Sequence, residues 1–197
     1  MIFEGKTLVV SPHTDDAELG AGGLIHRLAS EGKQVRILHL SDTTNLHGKA
    51  HGEKLRKEAI RAAEVLGVPK NEIQVLDFPT RFFAEQRQRL LDCLVQVKRT
   101  YNPDLVLCPG TSDKHQDHEV VASEVTRAFS AQTVLGFDTH WNQRQQNPVV
   151  VVGLGLANLD AKIQAASCYK SQEAKAYMNP EVLIGQARMR GISRGFE

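Results

Sequence analysis

The chain has 197 residues, of which 41% are hydrophobic, and 24 Lys and Arg stand against 23 Asp and Glu. This length and composition predict one globular domain over residues 1–197 and argue against disordered or fibrous classes. A net charge of +1 lacks the broad positive field of a nucleic-acid binder, so no nucleic-acid partner is expected and a small molecule or conjugate is the expected substrate.

The first ten residues lack the basic start, the long apolar stretch and the cleavage site of a secretion signal. No apolar run approaches the roughly 20 residues of a membrane span. The cysteines, Cys93, Cys108 and Cys168, are odd in number and far apart, which favours reduced residues over a disulfide framework. We therefore expect a cytoplasmic protein without a membrane span. The sequence leaves its oligomeric state open, a homo-oligomer included.

Short apolar runs alternate with amphipathic stretches along the chain. Strands are predicted at residues 7–10, 35–40, 72–78, 105–109 and 133–137. Helices are predicted at about residues 18–31, 52–67, 85–101, 115–129, 157–169 and 180–190. A polar loop at 142–148 and an apolar run at 149–156 precede the last two helices. This alternation predicts an α/β fold, a doubly wound, mostly parallel (Rossmann-like) sheet with helices on both faces.

Two loops are expected to meet in one crevice. With the common strand order 3-2-1-4-5, the first and fourth strands are neighbours, and such folds bind ligands beyond the carboxyl ends of that pair. The loops are SPHTDDAELGAGG, residues 11–23, and PGTSDKHQDHEVV, residues 109–121. They bring together three histidines and four aspartates: His13, Asp15, Asp16, Asp113, His115, Asp117 and His118. Imidazole and carboxylate without thiolate indicate Zn²⁺ or a similar first-row ion.

A phosphate-binding interpretation of the first loop requires glycines at the turn itself. Gly20, Gly22 and Gly23 come one turn into the helix instead, and adjacent aspartates would repel a pyrophosphate. We interpret these glycines as structural, allowing the helix to pack closely on its strand. The alternatives to a metal site are purely structural: Asp15 and Asp16 cap the helix, and the histidines of the second loop lie on a helix surface.

The stretch PHTDDAELGAGG resembles the H-P-D-D-E-x-x-G-x-G-G signature of the PIG-L/LmbE-like N-acetylglucosaminyl deacetylases, and HQDH resembles their H-x-D-H motif. LRKEAIRAAEVLGV, YNPDLVLCPG and KIQAASCYKSQ extend the resemblance over nearly the whole chain. Thr14 replaces the proline of the signature and Ala17 its glutamate.

The resemblance implies a zinc-dependent hydrolase that removes an N-acetyl group from an N-acetylglucosamine-type sugar conjugate, giving acetate and a free amine. It implies that His13, Asp16 and His118 hold the ion, with a position open for water and the substrate carbonyl, as in catalytic zinc sites. It also implies that Asp15 is the general base. Fe²⁺ or another first-row ion is not excluded, because two histidines and one carboxylate also describe an iron site.

Further residues are candidates for the reaction. His115, one turn before His118, suits an acid that protonates the leaving amine or a group that stabilises the oxyanion. Asp117 is predicted to orient one of the imidazoles, and Asp113 either does the same or lies in solvent. Arg56 matches an arginine of the family and either binds a substrate hydroxyl or phosphate or is a solvated helix residue.

His140 and Trp141 are candidates for the mouth of the pocket, where Trp141 either stacks on a sugar ring or anchors a long loop. His26 and His39 are expected to be core or surface residues rather than ligands. Two other functions stay open: a catalytically silent sugar- or metal-binding module, which the Ala17 departure favours, and a hydrolase of a different acyl or amide bond.

Overall fold

This computed structural model describes residues 3–144 and 148–195. The strands are β1 (Lys6–Ser11), β2 (Gln34–His39), β3 (Ile73–Val75), β4 (Leu105–Pro109) and β5 (Thr133–Phe137). The helices are α1 (Asp16–Ser30), α2 (Thr44–His47), α3 (Lys49–Val65), α4 (Arg87–Tyr101), α5 (Gln116–Ala128), α6 (Leu156–Ser167) and α7 (Pro180–Ile192). Two 3-10 turns cover Lys70–Glu72 and Ala176–Met178.

The five strands form one parallel sheet in the order β3-β2-β1-β4-β5, which confirms the predicted order and the doubly wound class. Parallel neighbours require crossover connections, and helices supply them here. The connections run outward in opposite directions from β1 and β4. The carboxyl ends of these two strands therefore border the crevice where ligands bind in such sheets.

Both faces of the sheet are buried, so successive residues of one strand belong to different cores. Val9 and Ile37 pack with the apolar faces of α1, α3 and α6. Leu8 and Val10 lie on the opposite face and pack with α4 and α5. Among the residues that the structure describes, no helix is long and apolar enough to cross a membrane.

The glycines of the first loop are structural, but their close contacts differ from the expected ones. A Cβ at Gly20 would collide with the ring of Phe137 at the end of β5, and one at Gly23 would collide with Leu154. Gly22 faces Lys162 of α6. The missing side chains therefore let α1 approach β5 and the α6 region, rather than β1.

Some element boundaries differ from the predicted ones. Between the strand predicted at 35–40 and the helix predicted at about 52–67, Thr44 begins the short helix α2, and the carboxylate of Asp42 accepts a hydrogen bond from its N–H at 3.0 Å. The strand predicted at 72–78 is only Ile73–Val75 long. The apolar run at 149–156 forms no strand in the described residues and leaves Val149 98% exposed. Of the predicted loop at 142–148, residues 145–147 lie outside the described residues.

Candidate metal centre and active site

The two crevice loops bring His13, Asp16 and His118 into contact. Nδ1 of His13 lies 3.0 Å from Oδ2 of Asp16, and Nε2 of His118 lies 3.1 Å from the same oxygen and 3.4 Å from Nδ1 of His13. Donors held about 2.0–2.1 Å from a tetrahedral zinc ion are roughly 3.3 Å apart. The three atoms therefore have the spacing and the chemistry of a metal-binding group.

Local hydrogen bonds shape the turn that carries two of these donors. The hydroxyl of Ser11 donates to the carbonyl oxygen of His13 at 2.5 Å and accepts from the N–H of Ala17 at 3.0 Å. Oδ2 of Asp16 also accepts from the N–H of His13 at 2.9 Å. The end of β1 and the first turn of α1 thus hold His13 and Asp16 side by side.

Asp113 lies behind His118. Its Oδ2 is 2.7 Å from Nδ1 of His118, and its Oδ1 accepts from the N–H of His115 at 2.8 Å. The hydroxyl of Thr139 donates to Oδ2 as well. The side chain is fully buried, so Asp113 does not lie in solvent. It leaves Nε2 of His118 directed at Asp16.

Asp117 lies behind His13 in the same way. Its Oδ2 is 3.1 Å from Nε2 of His13 and accepts from the N–H of Arg81 at 2.7 Å. Arg81 has a φ of 74°, a left-handed conformation that is uncommon for residues other than glycine. In this conformation the N–H of Arg81 is directed at the carboxylate of Asp117. Because Asp117 contacts Nε2 of His13, Nδ1 of the same ring is left to face Asp16 and His118.

The carboxylates determine the charge of the site. Burial lowers the pKa of His118, but the negative charge of Asp16 and the hydrogen bond to Asp113 raise it to about 10. Burial likewise lowers the pKa of His13, and its hydrogen bonds to Asp117 and Asp16 raise it to about 9. Despite burial, His118 holds the pKa of Asp16 well below its usual range. A metal cation competes with protons for such ligands, so its binding releases protons.

Asp15 stands at the amino end of α1, half-buried, and its side chain makes no capping hydrogen bond. The helix-capping alternative therefore does not describe it. Burial and the charge of Asp16 raise the pKa of Asp15 to about 6, against the opposing positive charges of Lys175 and His13. A half-buried carboxylate with this pKa can accept a proton near neutral pH.

His115 is the N-cap of α5, with extended backbone, one residue before the helix begins at Gln116. Its Nδ1 accepts from the N–H of Asp117 at 3.2 Å, and its ring stacks on that of His118 with centroids 4.6 Å apart. Burial and the positive charges of His13 and His118 lower the pKa of His115 to about 4. The neutral ring therefore carries its hydrogen on Nε2 and can donate it.

A second group of potential ligands consists of His13, His115 and Asp117. Its carboxylate already accepts backbone hydrogen bonds from Arg81 and, at 3.4 Å, from Phe83. Nδ1 of His115 is also engaged by a backbone N–H. The group of His13, Asp16 and His118 is the one in which each imidazole has a carboxylate on its other nitrogen.

Arg56 makes hydrogen bonds within the protein. Its Nε donates to Asp42 at 2.6 Å, and its terminal nitrogens donate to the carbonyl oxygens of Val75 and, at 3.2 Å, of Leu76. These bonds connect α3 with the segment that follows β2 and with the end of β3. A structural contribution is thus visible, and a role in substrate binding stays a prediction.

His140 and Trp141 follow β5, and the sequence did not point to their partner Tyr177. The rings of Trp141 and Tyr177 stack with centroids 4.0 Å apart and planes at 6°, and His140 meets Trp141 edge-on. We call Trp141 and Tyr177 the aromatic wall. Burial raises the pKa of Tyr177 above its usual value, and the negative charges of Asp15 and Asp16 raise it further.

Other contributors to the site also had no local signal in the sequence. Thr139 lies 26 residues from Asp113, and Arg81 lies 36 residues from Asp117. Both meet the site only once the sheet has formed. Only the resemblance of KIQAASCYKSQ to the family could have drawn attention to the segment just before Tyr177.

Comparison with known proteins identifies relatives of this chain in sequence and in fold. A diacetylchitobiose deacetylase of Thermococcus kodakarensis is 36% identical over 122 residues, which cover 57% of this chain and 45% of that protein, less than half of its length. The solved structure of a conserved protein from Thermus thermophilus, TT1542, is 26% identical, with a TM-score of 0.79 over 96% of this chain and 90% of that one.

The solved structure of an N,N'-diacetylchitobiose deacetylase from Pyrococcus horikoshii is 21% identical, with a TM-score of 0.74 over 97% of this chain and 80% of that one, and shares the fold. Residues 8–129, which include both crevice loops, match the PIG-L family, described as GlcNAc-PI de-N-acetylase. The chain belongs to the PIG-L family.

Proposed function

We propose that this protein is a zinc-dependent hydrolase that removes an N-acetyl group from an N-acetylglucosamine-type sugar conjugate, giving acetate and a free amine. One observation carries the proposal: Nδ1 of His13, Oδ2 of Asp16 and Nε2 of His118 lie 3.0–3.4 Å apart, next to the carboxylate of Asp15. Membership of the PIG-L family and the 36% identity to a diacetylchitobiose deacetylase support it.

His13, Asp16 and His118 would hold the ion. When bound, a zinc ion supplies a Lewis acid for the amide carbonyl and lowers the pKa of a water molecule to roughly 7. Asp113 and Asp117 hold the two imidazoles in the required orientation. The same donor set would accept Fe²⁺, and zinc is proposed here because amide hydrolysis needs no redox chemistry.

Asp15 is proposed to move the proton. Hydrolysis adds water across the amide: the oxygen of water bonds to the acyl carbon, and the C–N bond breaks. Asp15 accepts the proton that water loses and returns it to the nitrogen, so that the product leaves as a neutral amine rather than an amide anion. The half-buried position of Asp15 and its pKa of about 6 suit both transfers.

His115 is proposed to stabilise the carbonyl oxygen as it becomes negative. Because its Nδ1 accepts a backbone N–H and its pKa is lowered to about 4, the ring donates a hydrogen bond from Nε2 without being a cation. Of the two roles that the sequence left open, oxyanion stabilisation therefore fits the geometry better than donation of a proton.

The substrate is proposed to lie against the aromatic wall. Aromatic rings suit the apolar C–H face of a sugar. The negative charges of Asp15 and Asp16 contribute to the raised pKa of Tyr177. His140 supports the wall edge-on, and Arg56 stays a weaker candidate. We also propose a cytoplasmic location.

The silent-module alternative rested on Ala17. This residue is fully buried in the apolar core, so its small side chain removes no group from the metal donors. The structure retains Asp15 and all three donors, which favours a catalyst over a binding module.

A panel assay tests the proposal. Zinc-loaded protein is incubated with N-acetylglucosamine, nucleotide-linked N-acetylglucosamine, N,N'-diacetylchitobiose and aryl N-acetylglucosaminides, and primary amine and acetate are both measured. We expect equimolar amine and acetate from at least one compound, abolished by a chelator and restored by zinc. Sugar binding without amine release would favour the silent module, and turnover that requires Fe²⁺ and oxygen would contradict hydrolysis.

A further inference from the structure

Three buried side chains outside the donor set lie around the turn that carries His13 and Asp16. Glu18 belongs to α1, His39 ends β2 and Tyr169 follows α6. Their exposed fractions are 0%, 0% and 1%. We call them the support cluster.

Two members of the support cluster hold consecutive carbonyl groups of the turn. The hydroxyl of Tyr169 donates to the carbonyl oxygen of Thr14, and Nδ1 of His39 lies 3.3 Å from the carbonyl oxygen of His13. A carbonyl oxygen only accepts, so Nδ1 of His39 carries a hydrogen. The two peptide groups concerned connect His13 to Asp15. Their orientation therefore sets the directions of the neighbouring side chains.

Glu18 faces the other nitrogen of His39. Its Oε1 lies 3.9 Å from Nε2 of His39, and within the described residues neither carboxyl oxygen nor Nε2 has a hydrogen-bond partner. Buried polar groups are normally paired, and closing this separation by about 1 Å would give an ordinary hydrogen bond. A neutral imidazole that donates from Nδ1 accepts at Nε2, so the group that faces Nε2 of His39 has to be a donor.

We propose that Glu18, His39 and Tyr169 are positioning residues for the metal centre. Glu18 faces Nε2 of His39 across 3.9 Å, Nδ1 of His39 contacts the carbonyl oxygen of His13, and Tyr169 donates to the next carbonyl oxygen along the turn. Together they set the spacing between His13 and Asp16. The inference rests on the metal site of the proposed function. Glu18 directly follows Ala17, the residue that replaces the glutamate of the family signature.

The Tyr169→Phe variant tests the proposal against a matched control, Tyr101→Phe. The hydroxyl of Tyr101 donates to the carbonyl oxygens of Thr7 and Gln34, each at 3.2 Å, at the opposite ends of β1 and β2. Each variant loses a phenol hydroxyl that donates to backbone carbonyl oxygens, one for Tyr169 and two for Tyr101, and keeps its ring. We expect both to lower the thermal midpoint, but only Tyr169→Phe to weaken zinc binding, by about tenfold or more, measured by chelator competition.

Two variants of Glu18 separate positioning from packing. Glu18→Gln keeps a donor for Nε2 of His39, whereas Glu18→Leu fills the space without one. We expect the Gln variant to bind zinc within about threefold of the wild type and the Leu variant to bind about tenfold more weakly or worse. At saturating zinc, kcat of the Leu variant should fall while KM changes little.

Zinc affinity in Tyr169→Phe equal to that of Tyr101→Phe and the wild type would overturn the proposal. Equal affinity of Glu18→Leu and Glu18→Gln would remove Glu18 from the support cluster. Failure of the wild type itself to bind zinc would contradict the metal site, and with it this inference, and is thereby told apart from failure of the support cluster alone.

Discussion

The carboxylate of Asp113 lies 2.7 Å from Nδ1 of His118, which leaves Nε2 of that ring directed at the donor group. Asp117 stands in the same relation to His13, but through Nε2, at 3.1 Å. Carboxylates behind metal-ligating imidazoles fix the ring orientation and raise the basicity of the ligand. The site thus has one such carboxylate for each of its two imidazoles: Asp113 comes from the loop after β4 and Asp117 from the first turn of α5.

Replacing Asp113 with Asn should weaken zinc binding about 10- to 100-fold, because the amide cannot accept from Nδ1 of His118, from Thr139 and from the N–H of His115 together. Chelator competition on the purified variant measures this loss. Glu119→Gln is the control, since it removes a carboxylate of α5 that pairs with Arg144 on the surface. Unchanged affinity in Asp113→Asn would mean that His118 needs no orienting partner.

Replacing Asp15 with Asn should lower kcat by roughly 10²- to 10⁴-fold, because the amide cannot accept the proton from water. Asparagine has nearly the same shape as aspartate, and residue 15 is not one of the three metal donors. The variant should therefore still bind one equivalent of zinc. Amine release and zinc content are measured on the same preparation. Wild-type turnover in this variant would eliminate Asp15 as the base.

The pH profile of kcat/KM should show an acid limb, that is, a loss of activity as the pH falls. Only the carboxylate form of Asp15 accepts a proton, so kcat/KM should rise with pH through the pKa of Asp15. Burial and Asp16 raise that pKa to about 6, and a bound cation lowers it, which puts the midpoint at or below about pH 6.

The positive charge of Lys175 lowers the pKa of Asp15. Lys175→Met should therefore move the midpoint of the acid limb to higher pH. Lys170→Met removes an exposed lysine of the same segment and should leave the midpoint in place. A midpoint that moves to lower pH in Lys175→Met would contradict the assignment of the limb to Asp15.

The aromatic wall should affect KM more than kcat. Tyr177→Ala removes the ring that stacks on Trp141, and we expect KM for the sugar conjugate to rise roughly 3- to 10-fold. Tyr177→Phe keeps the ring and should stay close to the wild type. Steady-state kinetics on the best substrate of the panel measures both. Equal KM values for the two variants would place the substrate elsewhere.

Much of the fold could be predicted from the sequence, because strand order and crevice position follow from regular alternation. The meeting of His13 with His118 follows from the same topology, since parallel strands end at one edge. Boundaries were less predictable, as at the start of α2, where the N–H of Thr44 donates to the carboxylate of Asp42.

Contacts made across the fold could not be predicted. Tyr169 meets Thr14 across 155 positions of sequence, and the sequence could not tell whether Asp113 or Asp117 would serve His118. The left-handed backbone of Arg81 could not be predicted either. Sequence patterns indicate this conformation where glycine or asparagine occurs, and position 81 is an arginine. These features depend on how the helices pack on the finished sheet.

The most direct test of the central claim is a zinc titration of the metal-free protein, with amine and acetate release followed on one substrate. We expect equimolar release to rise with added zinc and to stop rising at one equivalent per chain. Substituting Asp16 with Asn should remove this dependence together with the activity. Turnover that is indifferent to zinc, or full activity in that variant, would contradict the claim that His13, Asp16 and His118 hold a catalytic ion.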